Sequence, residues 1–253
     1  MSTEPGTTAS PRRYRVGVLG EPVLLKEFTT TFGERLDVLQ NLPRLPQGPT
    51  NRQVKKPPIP LVDLGIELTI GEKTRKRENL AELDWALPPS APLLTNVLTY
   101  TLSEQSTWVK TPRRLIGFGI LPSTLTGKLI ECVKLPASDE EAVKSVRTFF
   151  ESLGKEATFV GDAPGLVLPR IRCMLLNEAC FALAERVAAP RDIDLAMRLG
   201  TNYPTGPFEW GEKVGLQNVL AILEALRDYY GEERYRPAPL LRKSAMAGKV
   251  PVE

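Results

Sequence analysis

Short apolar runs alternate with amphipathic stretches from Tyr14 to about Asp162. The apolar runs span a few residues each and end at glycine, proline or polar residues, which predicts strands. The amphipathic stretches repeat apolar residues at intervals of three and four, which predicts helices. Alternation of the two patterns is typical of a parallel sheet with helices on its faces. The predicted strands lie at residues 14–19, 35–40, 61–70, 91–99, 111–120 and 156–162, and the helices at 23–33, 73–87 and 137–154.

Capping and proline signals mark the limits of these elements. Ser138 is followed three residues later by Glu141, the spacing of a capping box, so Ser138 is the predicted N-cap of the helix at 137–154. Residues 41–60 hold six prolines. Proline lacks a backbone donor and restricts φ, so this segment is predicted to be an extended connection. Residues 1–10 are small and polar and are predicted to be a disordered tail.

The pattern after Asp162 is helical throughout. Pro169 suits the first position of a helix, where its missing N–H costs little. One apolar face of that helix is predicted to comprise Cys173, Leu176, Cys180, Leu183 and Val187. The segments that follow are predicted to be a helix at 189–200, a loop at 201–215 and a helix at 216–231. We therefore divide the chain into a tail at 1–10, an α/β domain at 11–161 and an all-α domain at 162–253.

Composition excludes several functional classes. The chain has 253 residues, 25% of them charged, with a net charge of +3 and no histidine. This charge is too small and too evenly spread for a surface that binds nucleic acid or a membrane. Without histidine, and with three cysteines that lack metal-ligand spacing, no metal site is expected. No apolar run approaches the roughly 20 residues of a membrane span, and no secretory signal is visible, so we expect a cytoplasmic protein.

The segment RRLIGFGILPSTLTGKLIECV, residues 113–133, lies where an α/β enzyme carries polar catalytic groups. It reads as a strand, a turn and a second apolar run at Leu129–Val133, and it offers almost no group that could do chemistry. Glu131 is its one carboxylate, and Lys128 adds a positive charge nearby. Glu131 is therefore the candidate catalytic residue of this chain.

A specific motif occupies residues 192–209. Its members are Asp192, Ile193, Asp194, Ala196, Met197, Gly200, Pro204, Gly206, Pro207, Phe208 and Glu209. They resemble the pattern D-I-D-x-A-M-x-x-G-x-x-x-P-x-G-P-F-E in the C-terminal domain of the 3-hydroxyacyl-CoA dehydrogenase family. Such residues form a helix followed by a Gly/Pro turn, so we interpret them mainly as folding determinants.

The resemblance extends backward over most of the α/β domain, through DLGIELTIGEKTRKRENLAELD, LLTNVLTYTLSE and RRLIGFGILPSTLTGKLIE. It implies a Rossmann-like sheet domain followed by a helical domain. The sheet domain is expected to be truncated, because the proline-rich segment at 41–60 stands where the family has a helix, a strand and a further helix. That region usually contacts the CoA arm in the family.

The resemblance also implies that the catalytic residues of the family are missing. The family histidine, which takes the proton of the substrate hydroxyl, falls on Gly119, whereas Glu131 matches the carboxylate that orients it. The asparagine and proline that follow in the family motif fall on Pro122 and Ser123. In the upstream loop Asn96 is kept. The substrate-binding serine falls on Leu98, and a further active-site asparagine falls on Pro169, beside the retained Arg170.

The dinucleotide loop is altered in the same way. A glycine-rich loop binds pyrophosphate because glycines let backbone amides approach the phosphates at a helix N-terminus. This chain keeps only Gly20 of that loop and places Glu21 beside it. The next strand ends in Gln40, where an acidic residue would bind the ribose hydroxyls. We therefore predict that the chain binds no cofactor.

Three functional hypotheses remain open at this point. The first is a pseudoenzyme of the family, with a structural, dimerising or acyl-CoA-related role. The second is an enzyme of acyl-CoA or fatty acid metabolism in which Glu131 is a general base, with Lys128 or Arg170 supplying positive charge. The third is a dehydrogenase that is still active through rewired contacts. Binding of cofactor and ligand distinguishes them.

The helical domain is predicted to form a homodimer, because it supplies the subunit contact in the family. The helix at 216–231 supports this prediction with an apolar arc wider than one core face needs. The arc comprises Leu216, Val219, Leu220, Ile222, Leu223 and Leu226. The alternative is that a neighbouring helix of the same subunit covers the second side of this arc.

Overall fold

The computed structural model describes residues 13–43 and 62–250. In these two ranges seven strands form one sheet in the order β2-β1-β3-β4-β5-β6-β7. The strands are β1 (Tyr14–Leu19), β2 (Leu36–Leu39), β3 (Leu64–Glu67), β4 (Leu93–Asn96), β5 (Leu115–Phe118), β6 (Leu129–Val133) and β7 (Glu156–Phe159). The tail predicted at 1–10 and most of the connection predicted at 41–60 lie outside the described residues.

The sheet is mostly parallel but changes direction once. All neighbours from β2 to β5 pair in parallel, whereas β6 is antiparallel to β5 and β7 is parallel to β6. The prediction of a parallel sheet is therefore wrong at this edge. The reason is the connection at residues 119–128, which contains no helix and is too short to return the chain to the start of a parallel strand.

Within the described ranges four helices accompany the sheet, and the apolar spacing predicts all of them except the short helix at Leu102–Ser106. They are α1 (Pro22–Phe32), α2 (Lys73–Ala86), α3 (Leu102–Ser106) and α4 (Glu140–Ser152). α2 packs against β1, β3 and β4, and α4 packs against β5 and β7. Their apolar faces and the strand residues between them form the core of the domain.

The N-cap of α4 is Asp139 rather than Ser138, so this prediction is wrong by one residue. The Asp139 carboxylate accepts a hydrogen bond from the Glu141 amide (3.1 Å). The Ser138 hydroxyl instead accepts from the Leu135 amide (2.9 Å) and stabilises the turn that leads into the helix. Both side chains are good N-caps in isolation, and the direction of the incoming turn selects Asp139.

The described residues that follow the sheet domain are mainly helical, as predicted, with α5 at their centre. The helices are α5 (Leu168–Ala184), α6 (Pro190–Thr201), α7 (Pro207–Val214), α8 (Leu216–Tyr230) and α9 (Pro239–Ala247). α5 contacts each of the other four. The predicted loop at 201–215 is wrong, because α7 lies within it. Phe208, Trp210 and Val214 of α7 are buried, so tertiary packing stabilises this short helix.

Two predictions about apolar faces also need correction. Cys173, Leu176, Cys180 and Leu183 are buried along α5, but Val187 lies beyond the end of that helix and is 70% exposed. The wide arc of α8 is covered within the chain, since the helix packs against α5, α7 and α9. Leu223 is fully buried there, so the arc does not indicate a subunit contact.

No helix within the described ranges is long and apolar enough to cross a bilayer.

Candidate functional site

A cavity with a volume of about 620 Å³ lies between the sheet and the helical domain. We call it the β5–β6 cavity, because residues 119–131 between these strands form one side of it. The start of α5, the turn between α6 and α7, and α7 itself form the other side. The lining residues used below are Gly119, Lys128, Glu131, Leu168, Pro169, Arg172, Thr205, Trp210 and Lys213.

The position of the family histidine is closed by leucine side chains. A Cβ atom added to Gly119 would lie 2.5 Å from Cδ1 of Leu166 and 3.0 Å from Cδ2 of Leu98. Both leucines are buried, with 4% and 0% of their surface exposed. Such contacts are too short for an ordinary side chain, so an imidazole at this position would displace both leucines. The space into which a side chain at position 119 would project is occupied by these two leucines.

The turn after Gly119 has also changed its backbone conformation. Ser123, which stands at the family proline, has φ = 62°, a value that proline cannot adopt. Its amide donates to both carboxylate oxygens of Glu27 (2.8 and 3.0 Å), and its hydroxyl donates to the Lys213 carbonyl (3.1 Å). The turn therefore connects α1 of the sheet domain to α7 of the helical domain.

Glu131 lies in the wall of the β5–β6 cavity, where it binds the backbone of α5. Its two oxygens accept hydrogen bonds from the amides of Val167 and Leu168, each at 2.8 Å. These amides are at the N-terminus of α5, where unpaired donors and the helix dipole favour a carboxylate. With 8% of its surface exposed, Glu131 is held in this capping role by both of its oxygens.

The other retained polar residues are bound by the protein in a similar way. Asn96 donates to the Ile120 carbonyl (2.8 Å) and accepts from the Leu98 amide (3.2 Å). Arg170 packs on the rings of Tyr230 and Tyr235, 4.8 and 5.1 Å from their centroids, and donates to both hydroxyls. Arg170 is absent from the cavity lining, so of the two predicted sources of positive charge only Lys128 reaches it.

Arg172 is a residue that the sequence reasoning did not single out, and it lies in the cavity wall. Its guanidinium carbon is 5.1 Å from the centroid of Tyr203 and 4.9 Å from that of Trp210. The guanidinium donates to the hydroxyl of Thr205 (2.9 Å). Burial lowers the pKa of Arg172 from its ordinary value, and it remains a cation because arginine does not deprotonate in proteins. The sequence feature that could have identified Arg172 is its position one helical turn after Leu168, on the same face of α5.

The dinucleotide end of the sheet does not fit a bound NAD. Only Gly20 and Glu21 link β1 to α1, and a Cβ on Gly20 would lie 2.5 Å from Cβ of Leu68. The Glu21 carboxylate accepts hydrogen bonds from the amides of Ile70 (2.8 Å) and Gly71 (3.4 Å). α1 then begins at Pro22, which has no N–H to offer. A pyrophosphate would meet a carboxylate and too few donors at this helix N-terminus.

A buried ion pair lies under the same edge of the sheet. The Lys76 ammonium donates to Glu67 and to the Thr69 carbonyl (2.7 Å), and both charged side chains are fully buried. Burial lowers the pKa of Lys76, and the attraction of Glu67 opposes that shift. Gln40, which stands where the family would bind ribose, is exposed and donates to the Thr29 hydroxyl (3.3 Å).

The cysteines and the motif at 192–209 have structural roles. Cys132, Cys173 and Cys180 are free and buried, and burial raises the pKa of Cys132 and Cys180 to about 12. Within the described ranges no three His, Cys, Asp or Glu side chains gather as metal ligands. Asp194 accepts from the amides of Phe208 (2.8 Å) and Glu209 (3.0 Å), so the motif caps α7.

The fold and the cleft between its domains define a Rossmann-like two-domain protein of the dehydrogenase type. Over 94% of this chain and 95% of the other, the structure is similar to (S)-3-hydroxybutyryl-CoA dehydrogenase PaaH1 from Ralstonia eutropha, with a TM-score of 0.73. The sequence identity is 20%, so this likeness concerns the fold.

Sequence comparison identifies the family. Residues 57–163 match the 3-hydroxyacyl-CoA dehydrogenase NAD binding domain, and residues 165–253 match the C-terminal domain. The chain is 36% identical over 186 residues to a probable 3-hydroxybutyryl-CoA dehydrogenase of Bacillus subtilis and 33% identical to one of Deinococcus radiodurans. These alignments cover 74% of this chain and 65% and 67% of the relatives. The chain belongs to the 3-hydroxyacyl-CoA dehydrogenase family.

The family match does not extend to the dinucleotide loop of this chain. It begins at residue 57, so β1, α1 and β2 lie outside it. The matched part of the sheet domain includes the sites of the family histidine and of Glu131. The predicted resemblance is confirmed, whereas the division of the chain at residues 161 and 162 stays a prediction.

Proposed function

We propose that this protein is a family member without hydride-transfer activity that has kept a binding cavity for an acyl ligand. One observation carries the proposal. Gly119 stands at the family histidine, and Leu98 and Leu166 occupy the space that an imidazole would need. Glu131, a carboxylate in the lining of the same cavity, accepts hydrogen bonds from two backbone amides, which opposes its use as the acceptor of a substrate proton.

The link between β1 and α1 supports the same conclusion for the cofactor. Hydride transfer needs a nicotinamide held against the substrate. The close contact of Gly20 with Leu68 and the carboxylate of Glu21 oppose the binding of a pyrophosphate. The proposal therefore includes no cofactor, and it places the protein in the cytoplasm, where free cysteines such as Cys132 stay reduced.

The β5–β6 cavity supports an acyl ligand. The relatives are named for 3-hydroxybutyryl-CoA, whose acyl part is short and aliphatic. Leu129 and Leu168 border the cavity with 48% and 52% of their surface exposed. Apolar surface of this kind is suited to an acyl chain, because burying it against hydrocarbon is favourable.

The test combines binding and turnover. Titration of the purified protein with NADH, followed by fluorescence, is expected to show no binding at micromolar concentrations. Oxidation of 3-hydroxybutyryl-CoA with NAD is expected to be absent, with an active family dehydrogenase as the positive control. A micromolar dissociation constant for NADH, or turnover that persists in pure protein, would refute the proposal.

A second candidate function is an enzyme that uses Glu131 as a general base. It is favoured by one observation, namely that this carboxylate lies in the cavity wall with only 8% of its surface exposed. The two amide hydrogen bonds to Val167 and Leu168 oppose it, because they engage both oxygens. An acyl-CoA substrate whose turnover is lost in Glu131→Gln would favour this candidate.

The homodimer remains part of the proposal, with α6 in place of α8 as its contact. α6 has no buried residue, although its apolar and polar residues lie on opposite sides. Leu195 and Leu199 of α6 are 46% and 78% exposed, and Ile171 of α5 is 46% exposed. A second copy of the chain that covers this face would bury these exposed apolar side chains.

Light scattering tests the dimer. The wild type is expected at about twice the 28.0 kDa of one chain, and Leu199→Asp is expected to shift the mass toward one chain. Met246→Asp, at an 85% exposed residue of α9, is the matched control and should leave the mass unchanged. A wild-type protein that is monomeric at tens of micromolar would contradict the dimer.

A further inference from the structure

We propose that the β5–β6 cavity recognises a carboxylate carried on a short aliphatic chain, and that Arg172 is the residue that binds it. The inference rests on the proposed function, which assigns an acyl ligand to this cavity. It goes further by naming the charged group of that ligand and its protein partner. The shared chemistry is a carboxylate, either of a free acid or at the far end of an acyl-CoA chain.

The first argument is the charge balance of the cavity wall. Lys213 pairs with Glu209 (2.9 Å), and Glu131 is engaged by two backbone amides. Lys128 is exposed to solvent. Arg172 is only partly exposed, and no carboxylate in residues 13–43 or 62–250 forms an ion pair with it. A partly buried cation without a counter-ion is costly, and an anionic ligand removes that cost.

The second argument is the way in which the guanidinium is held. The rings of Tyr203 and Trp210 lie on it at 5.1 and 4.9 Å, and Thr205 accepts one of its hydrogen bonds. A guanidinium has five N–H donors in a rigid plane. Stacking on aromatic rings fixes that plane, so the remaining donors can bind the two oxygens of a carboxylate with little loss of entropy.

The third argument is the arrangement of apolar residues next to Arg172. Leu168 lies one helical turn before Arg172 on α5, so the two side chains share a face of the helix. Leu168 and Leu129 both present exposed hydrocarbon to the cavity. An aliphatic chain along these leucines would bring a terminal carboxylate to the guanidinium.

The experiment compares charged and neutral ligands of the same shape. Calorimetric titration of the full-length wild type is expected to show that hexanoate binds at least about tenfold more tightly than hexanamide, because the amide lacks the charge. Adipyl-CoA and hexanoyl-CoA are then compared in the same way. Preference for adipyl-CoA identifies the far end of an acyl-CoA, whereas binding of hexanoate alone identifies a free acid.

Two variants test the role of Arg172. Arg172→Gln is expected to raise the Kd of the preferred acid at least about tenfold. Leu168→Glu places a carboxylate four residues before Arg172, where it can pair with the guanidinium within the helix and compete with the ligand. Leu168→Gln removes the same hydrocarbon contact without adding a charge, so it is the reference for this variant, and Leu168→Glu is expected to raise Kd at least about threefold more than Leu168→Gln does. Leu168 is half exposed, so these two variants test the idea even if Arg172→Gln does not fold.

The matched control is Arg147→Gln. Arg147 also lies on an aromatic ring, 5.2 Å from the centroid of Phe159, but it is outside the cavity. Its removal should leave Kd unchanged. Equal affinity for hexanoate and hexanamide, absence of binding by every acid and acyl-CoA, or equal affinity in Leu168→Glu and Leu168→Gln would each overturn the inference. Those results would leave the proposed lack of hydride transfer intact, because NADH titration and turnover test it separately.

Discussion

The two sides of the cleft differ in how much of their space is filled. On one side Leu98 and Leu166 close over Gly119, and Leu68 closes over Gly20; we call these residues, with Glu21, the closed edge. On the other side the β5–β6 cavity keeps about 620 Å³, with half-exposed leucines and Arg172 in its wall. Gly119 and Gly20 are therefore closely packed against leucine side chains, whereas the β5–β6 cavity beside Gly119 is open.

The carboxylates near the cleft show the same division. Glu21 accepts backbone amides at the end of β3, Glu131 caps α5 and Asp162 caps α3. Each of these side chains accepts hydrogen bonds from backbone amides and stabilises the junction of two elements. Arg172 is a partly buried cation of the cavity wall, and no carboxylate among the described residues forms an ion pair with it.

The largest expected effect is in the core beneath the closed edge. Lys76→Met leaves the carboxylate of Glu67 buried without its partner, which typically costs about 3–5 kcal/mol. The free energy of unfolding, measured in denaturant, should fall by that amount. The double variant Glu67→Gln with Lys76→Met removes both charges and should recover much of the loss. Equal stability of the wild type and Lys76→Met would show that this edge is not tightly packed.

The next effect concerns the site of the family histidine. Gly119→His forces side-chain atoms into Leu166 and Leu98, and overpacking of this kind costs about 1–3 kcal/mol. No 3-hydroxyacyl-CoA oxidation should appear, because the cofactor end is also closed. Gly161→His is the matched control, since a Cβ added to Gly161 meets nothing within 4 Å. Oxidation of a 3-hydroxyacyl-CoA by the single variant Gly119→His would contradict the assignment of Gly119 and Gly20 to a closed edge.

A smaller loss of stability is expected at Glu131, which lies between the closed edge and the β5–β6 cavity. Glu131→Gln replaces one capping oxygen of α5 with an NH₂ group, which should lower the free energy of unfolding by about 1 kcal/mol. Glu178→Gln changes an exposed carboxylate of the same helix and should have little effect. The free energy of unfolding of both variants is measured by denaturant-induced unfolding. A Glu131→Gln protein as stable as Glu178→Gln would remove the capping role from Glu131.

The smallest effect on stability is expected in the wall of the β5–β6 cavity. Leu168→Gln changes a side chain that is 52% exposed and should stay within about 0.5 kcal/mol of the wild type. Stability lost here on the scale of Gly119→His would mean that the cavity wall is as tightly packed as the closed edge, contrary to the comparison.

Local patterns determined most of the elements and the family. Apolar spacing predicted β1 and the helices α1, α2 and α8, because the period of a pattern depends on neighbours in sequence. The substitutions at Gly119, Pro122 and Pro169 were visible in the same way, since matching a motif needs only residue order. The predicted loss of catalytic groups came from these substitutions alone.

Tertiary structure decided what those patterns could not express. The helix α7 depends on packing against distant segments. The direction of β6 follows from the short connection at 119–128, and the choice of Asp139 as N-cap follows from the turn before α4. The arc of α8 had two possible partners, and only the fold shows that α5, α7 and α9 cover it. Arg172 and Trp210 are distant in sequence, and they meet in one cavity wall only because α5 and α7 pack together.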